Sequence, residues 1–442
     1  MMRIALAVIL NGALLAGLLL WLRQQWRWAA PGWWRWVFVL GLALRVGAGA
    51  ARNWHPKADA RFMSYVSRIM TSKLQAHPTA AWDILTRAIT VLPKGTATHD
   101  FVFQNTSNTW ILIKILAVLN LASFRVVGVN AFYLSLFVFI GCWHLVRKLA
   151  EVFPATPAGA GVAAFLLWPS VWFWATGISK EAVLLGSGAW LTARVVGRLY
   201  GTTANEQGRS GSQLGWWLGT LALALLHFQM RYFFATPLLG VLCGIALGHG
   251  LDRFAPTRHR WVQVTALVVV LGAAAWVAPQ LSVAFRINKF TNQVMRVYSS
   301  EVANSAGRPH FEYPNLRPTV ESIAAHAPLA VVNAITRPWL GQSSQPLYVV
   351  AGLENAALLA LLALAAWSGL RGRIGKLPFS LSLGLIVFCL MLAFLIGLTS
   401  PNLGSMNRYR SDLLPFLLLL LLQNDYAAAA LRHLRLNRHN LD

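Results

Sequence analysis

Residues 377–399 read LPFSLSLGLIVFCLMLAFLIGLT, a run with no charged side chain that follows Arg371, Arg373 and Lys376. Crossing about 30 Å of hydrocarbon takes roughly 20 apolar residues of helix, because a helix satisfies every backbone N–H and C=O within itself. The stretch therefore predicts a membrane-spanning helix with a cationic boundary at one end. Comparable runs lie at about 4–22, 36–51, 126–146, 158–176, 182–200, 214–232, 233–251, 261–279, 347–368 and 412–431. Together they predict about eleven spans. At 442 residues the chain would fill about three soluble domains of roughly 150 residues, but it is 57% hydrophobic and 12% charged, with mean hydropathy +0.54. Soluble domains carry roughly 25% charged residues. The expected fold class is all-α: a polytopic transmembrane helical bundle, with amphipathic interface helices in two large outer loops.

Charge sets the expected orientation. The chain holds 38 Lys and Arg against 14 Asp and Glu, a formal +24, which in a soluble protein would suggest nucleic acid as a partner. With the N-terminus outside, the short inner loops hold Arg23, Arg27 and Arg35; Arg147 and Lys148; Arg194, Arg198 and Arg209; Arg253, Arg258 and Arg260; Arg371, Arg373 and Lys376; and Arg432, Arg435 and Arg438. That is the positive-inside pattern, so no nucleic acid is needed to explain the charge. Trp26, Trp28, Trp33, Trp34 and Trp36 suit an interfacial belt beside the first inner loop. The expected location is a bacterial inner membrane, with the C-terminus cytoplasmic. The first run follows Arg3 but has no small-residue cleavage site before Arg23, so it reads as a retained anchor.

On this reading the chain divides into an anchor helix and basic inner loop (1–35), a transmembrane core (36–280) with outer loop 52–125, a second outer loop (281–346), and C-terminal spans (347–442) with an outer turn at 400–411. In the first outer loop, 61–75 and 79–92 repeat apolar residues at helical spacing and predict amphipathic helices on the membrane face. The stretch 109–122 is apolar but short and carries Lys114, which predicts a re-entrant or interface-lying helix. In the second, a Ser/Pro/Gly-rich loop precedes a predicted helix at 319–336.

With so few acidic residues, the search for a catalytic carboxylate is short. Glu151, Glu206, Asp252, Asp425 and Asp442 fall toward the inner face; Asp59, Asp83, Asp100, Glu181, Glu301, Glu312, Glu321, Glu354 and Asp412 fall toward the outer. Asp59 follows a span that ends RVGAGAARNWHPKAD and precedes the first amphipathic helix. A carboxylate there can accept a hydroxyl proton or hold a metal where lipid-linked head groups sit; the alternative is an N-cap. Arg45, inside that span, is a candidate by its cost at membrane depth, against snorkelling or an ion pair with Glu181 or Asp59. Lys180 and Glu181, in WPSVWFWATGISKEAVLLGSG, stand at an outer turn and would position a phosphate or hydroxyl; the alternative is a solvated turn with Glu at the helix start. Arg408, Tyr409, Arg410 and Asp412, in SPNLGSMNRYRSDLLPF, suit bidentate phosphate binding, against head-group anchoring. His310, Glu312 and Tyr313 read as a polar surface loop. His55, His77, His99 and His326 lack metal-ligand spacing, and Cys142, Cys243 and Cys389 sit singly in apolar runs, so neither a metal motif nor a disulfide framework is expected.

Taken together, the span with Arg45, the outer Asp59 before an amphipathic helix with Tyr65, the segment SFRVVGVNAFYLSLFVFIGCWHLVRKL, the turn WPSVWFWATGISKEA and the late NRYRSDLLPFLLLL resemble GT-C type polytopic glycosyltransferases, of the family 39-like kind that use a polyprenyl-phosphate-sugar donor. The resemblance spans roughly 36–200 and 400–420. It implies that Asp59 activates the acceptor, that Glu181 supports it, and that Arg408 and Arg410 hold the donor phosphate, with Arg45, Lys180 and Tyr409 as further substrate contacts. The acceptor it implies is a glycolipid or polysaccharide, in cell-envelope polysaccharide biosynthesis. ADARF offers Asp59 alone where the family often pairs acids, so Asp83 or Asp100 would supply a second carboxylate. No cofactor is called for, with a divalent metal left open. The competing expectations are an O-antigen or exopolysaccharide polymerase or ligase dominated by arginines, and a transporter or flippase for a lipid-linked sugar.

Overall fold

A computed structural model describes residues 2–29, 32–54, 56, 58–87, 89–92, 101–104, 107–201, 213–254 and 258–433. In chain order the helices are α1 (Met2–Trp28), α2 (Trp33–Trp54), α3 (Ala58–Ala76), α4 (Ala81–Thr86), α5 (Asn108–Ser123), α6 (Val127–Val152), α7 (Ala158–Val162), α8 (Pro169–Trp174), α9 (Lys180–Tyr200) and α10 (Gln213–Met230). They continue with α11 (Tyr232–Leu251), α12 (His259–Leu281), α13 (Ile287–Ala303), α14 (Val320–Thr336), α15 (Pro346–Leu370), α16 (Phe379–Thr399), α17 (Leu403–Arg410), α18 (Leu414–Leu421) and α19 (Asp425–His433). Between α4 and α5, strands β1 (Ile89–Leu92) and β2 (Phe101–Gln104) form a two-stranded antiparallel ribbon pairing Ile89 with Gln104. The chain is a multi-pass integral membrane protein. Among the described residues seven helices (α1, α2, α6, α11, α12, α15 and α16) are long and apolar enough to span, and up to eight if α18 and α19, bent by 96°, count as one.

Four of the expected runs fall outside these seven. The 158–176 run is not one helix: α7 passes into a π-helical turn at Ala163–Leu167, Trp168 is extended, and α8 follows. Pro169 is the cause, since its ring drives the preceding residue out of the α region. The 412–431 run is bent because Asn424 accepts a hydrogen bond from Ala427 N (2.9 Å) and restarts the chain as α19. Runs 182–200 and 214–232 do form α9 and α10, but Thr192, Arg194 and Arg198 in one and Gln213, His227 and Gln229 in the other keep them outside the set of seven. The expected amphipathic helix at 79–92 is helical only to Thr86; Ile89–Leu92 is strand, as suits β-branched Ile89, Thr90 and Val91 facing Val102 and Phe103.

The chain folds into two compact units that interleave in sequence. The first comprises Met1–Trp143, Trp172–Ser187 and Leu225–Tyr232. Its helix α3 packs on α5, which packs on α1. Between α3 and α5 the amide of Asn120 donates to Ser67 Oγ and Thr71 Oγ1 (both 3.1 Å) and accepts from Asn130 (2.7 Å), a buried polar network that fixes their register. The tryptophans expected as a belt divide: Trp36 is 76% exposed, but Trp34 is 7% exposed and meets Trp28 and Trp143 edge-on. Trp34 is therefore a core residue, placed on the α2 stripe that also buries Val37, Phe38, Gly41 and Arg45.

The second unit comprises His144–Val171, Gly188–Ala224 and Phe233–Asp442. Helix α16 is its centre, packing against α12, α13, α14 and α18, with Phe416 edge-on to both Phe165 and Phe388. The loop 304–319 is mostly exposed, Glu312 included, as a surface loop should be, but Tyr313 is not part of that surface and the loop is pinned from within. Phe311 and Tyr313 are buried, Phe311 N donates to Pro401 O (3.2 Å), Leu403 N donates to Pro309 O (3.1 Å), and Tyr313 OH donates to Gly397 O (2.9 Å).

Close helix approaches rest on glycine in both units. A Cβ on Gly141 would lie 2.2 Å from Gly186 O, and one on Gly397 would lie 2.0 Å from Ala330 O, the small-residue contacts that draw membrane helices together. Gly141→Ala should therefore force α6 off α9 and destabilise the protein by about 1–3 kcal/mol, the usual penalty of overpacking. Gly12→Ala, where nothing lies within 4 Å, should not. Apparent Tm in detergent distinguishes the two.

Candidate functional site

The break between α8 and α9 organises the first unit. Ala175–Ser179 is non-helical, yet every residue in it is buried. A helix that stops inside a protein leaves its last carbonyls without donors, and here arginines supply them. Arg45, 0% exposed, donates to Ala175 O (2.6 Å). Arg52 donates to Phe173 O, Trp174 O and Thr176 O (3.0, 2.6 and 3.0 Å), its guanidinium 5.3 Å from the Trp174 ring centroid. The two lie seven apart on α2, hence on one face. Gly49 between them has no room for a Cβ, which would lie 2.2 Å from Ser135 Oγ. Ser135 Oγ accepts from Gly177 N (3.0 Å), and Gly177 takes φ +63, a left-handed conformation that suits glycine.

Helix α9 begins immediately after this segment. Ser179 Oγ caps it, accepting from Ala182 N (3.2 Å). Lys180 Nζ donates to Asn108 Oδ1 (2.9 Å) and Thr109 Oγ1 (2.8 Å) at the start of α5. Glu181, 1% exposed, accepts from Arg231 (3.0 Å), itself only 10% exposed. The positive end of the α9 dipole thus faces a carboxylate, and the negative end of α8 faces guanidinium groups. A solvated turn does not describe this pair. Deeper along α9, Ser187 Oγ lies 3.0 Å from His227 Nδ1, which also lies 3.1 Å from Leu184 O. Because that carbonyl can only accept, Nδ1 carries the proton and Nε2 is a buried acceptor with no partner among the described residues.

The remaining expected residues lie elsewhere. Asp59 is exposed inside the first turn of α3, which begins at Ala58, and so does not cap it. Asp83 is exposed and paired with Arg87 one turn on. Asp100 lies outside the described residues. In the second unit Arg408 and Tyr409 are half-buried, the guanidinium 5.1 Å from the Tyr409 ring, and Tyr409 meets Phe234 edge-on. Arg410 is 3% exposed and donates to Arg337 O, to Ile335 O (3.1 Å) and to Asn355 Oδ1 (2.7 Å). Those bonds engage it with backbone at the end of α14 and with Asn355. Glu354 accepts from Ser170 N and Oγ (3.2 and 2.6 Å). Among the described residues no three His, Cys, Asp or Glu side chains gather as a metal-binding group.

Asn108, Thr109, Arg231 and the Ser187–His227 pair escaped the linear reading because their partners lie 40 to 72 positions away. Arg52 had a signal: it shares with Arg45 the helical face of Gly49.

No family model, curated protein or solved structure matches the chain. The geometry itself makes a clear forecast. Arg231→Ala takes from the buried Glu181 carboxylate the guanidinium it meets at 3.0 Å and should destabilise the protein by roughly 3–5 kcal/mol, whereas removing both charges in Glu181→Leu/Arg231→Met should recover most of that loss. Apparent Tm in detergent for the single and double variants checks it.

Proposed function

We propose that the chain is a membrane glycosyltransferase that moves a hexosyl or pentosyl group from a polyprenyl-phosphate-linked donor to a glycolipid or polysaccharide acceptor. The observation that carries the reading is the α8–α9 break. Broken helices and buried ionisable groups are expensive in a membrane protein and mark sites of function, and this one draws Arg45, Arg52, Lys180, Glu181 and Arg231 from three segments into a single unit. The set is cation-rich, as an anionic lipid-linked substrate requires. The acceptor oxygen would bond to the anomeric carbon as the bond from that carbon to the phosphate oxygen breaks. The electron pair would leave with the polyprenyl phosphate, Lys180 stabilising its charge, and the acceptor proton would pass to Asp59, exposed in the same unit.

In this reading the broken 158–176 segment, α9, α10 and the α18–α19 pair join the seven apolar helices, bringing the spans to about eleven in a GT-C-like arrangement. The N-terminus would lie outside a bacterial inner membrane and the C-terminus in the cytoplasm, as the inner-loop cations favour. A second reading, a polymerase or ligase dominated by cations, gains support from the Glu181–Arg231 pair, which already engages the buried carboxylate.

Purified full-length protein in proteoliposomes, given a radiolabelled polyprenyl-phosphate hexose and acceptor glycolipid, separates these. Asp59→Asn should lower transfer on the order of 10²–10⁴-fold, the usual contribution of a general base, with insertion unchanged. Normal transfer by Asp59→Asn with loss in Lys180→Ala selects the second reading, and sugar-lipid flux without covalent transfer selects a transporter.

A further inference from the structure

Arg337, at the end of α14, has the geometry of a prepared anion fork. Its Nε–H donates to Asn333 Oδ1 (3.0 Å), one turn back on α14. Asn333 is held in turn by the Tyr313 hydroxyl at 3.3 Å. The guanidinium carbon lies 4.2 Å from the ring centroid of Trp339 and 5.2 Å from that of Phe311, so two aromatic faces define its plane. Its own carbonyl is pinned by Arg410. Every rotatable part of the side chain is thereby constrained. Yet the two terminal nitrogens, which carry four of the five N–H donors, have no acceptor among the described residues, and no carboxylate faces them. They are not among the side-chain atoms sealed from solvent.

The surroundings select the ligand. Trp339 and Leu340 are 50% and 55% exposed, and their backbone lies on α15, where a Cβ on Gly352 would come within 3.3 Å of Trp339 O. Helix α15 is apolar enough to span a membrane and starts at Pro346, so Arg337 stands at the end of a candidate span beside exposed apolar side chains. At that boundary the abundant anion is a lipid phosphate, and a planar guanidinium binds phosphate bidentately where an ammonium acts only as a point charge.

We infer that Arg337 holds the phosphate of an anionic membrane phospholipid, with Trp339 and Leu340 against the acyl chain. Arg410 and Asn333 are positioning residues that aim the fork. The site lies within the second unit and stands whether or not a sugar is transferred.

Native mass spectrometry of the full-length protein in detergent, doped with phosphatidylglycerol or phosphatidylcholine, tests the site, with apparent Tm as a second readout. The wild type should retain phosphatidylglycerol preferentially and melt higher with it. Arg337→Lys, which keeps the charge but loses the planar fork, should lose about tenfold in retention. Arg337→Ala should lose as much or more, and Trp339→Ala should weaken retention while leaving the lipid-free Tm unchanged. Equal phosphatidylglycerol retention by Arg337→Lys and the wild type overturns the assignment. So does inorganic phosphate raising the Tm as much as the lipid, which would make the site one for a free anion. Sugar transfer is not read in this experiment, so its failure and that of the glycosyltransferase reading are separate.

Discussion

The first unit depends on one constraint, that a helix broken inside a membrane protein must find new partners for its backbone carbonyls. Pro169 and the extended Trp168 start α8 afresh, and α8 lasts only to Trp174 before the chain leaves the helix in a series of bends. Arg45 and Arg52 then take the freed carbonyls. The surrounding choices follow from that need. Gly49 lets α2 approach, Ser135 takes the Gly177 N–H, and Gly177 turns the chain in a left-handed conformation. The segment thus delivers Lys180 and Glu181 to the start of α9, where Asn108, Thr109 and Arg231 meet them.

The second unit solves the same problem by the same means. Helix α14 ends at Thr336, and its last carbonyls are taken by side chains from other helices: Arg410 reaches Ile335 O and Arg337 O, and Asn355 reaches Thr336 O. In each unit a nearly fully buried arginine therefore serves the backbone of a helix C-terminus, where the dipole also favours a cation. This division of labour bears on function. Arg45 and Arg410 are buried against helix-end carbonyls, while Lys180 and Arg337 stand half-buried, Lys180 on the side chains of Asn108 and Thr109 and Arg337 on that of Asn333.

Much of the architecture was legible because hydropathy is a local property. LPFSLSLGLIVFCLMLAFLIGLT forms α16, the periodic apolar positions of 61–75 lie within α3, and the predicted helix at 319–336 is α14. Elements governed by a single residue or by pairing were harder to read. The 158–176 run looks continuous by composition, and only the stereochemical demand of Pro169 divides it. Ile89–Leu92 fits a helical pattern as well as a strand, and pairing with Phe101–Gln104 decides between them. Trp34 and Trp36 are alike in sequence, but the face of α2 sends one to the core and the other to the surface.

The candidate site was legible only as a set of suspects. WPSVWFWATGISKEA marked the turn and placed Lys180 and Glu181 in it, because charged residues beside apolar spans are conspicuous in the chain itself. Composition alone determined that this is a helical, multi-pass membrane protein, since burial in lipid is set by the summed transfer cost of each segment. Tertiary structure decided which groups each charge engages. Arg45 meets Ala175 across 130 positions and Arg410 meets Arg337 across 73, and no linear spacing encodes a hydrogen bond whose partners meet only once the helices have packed.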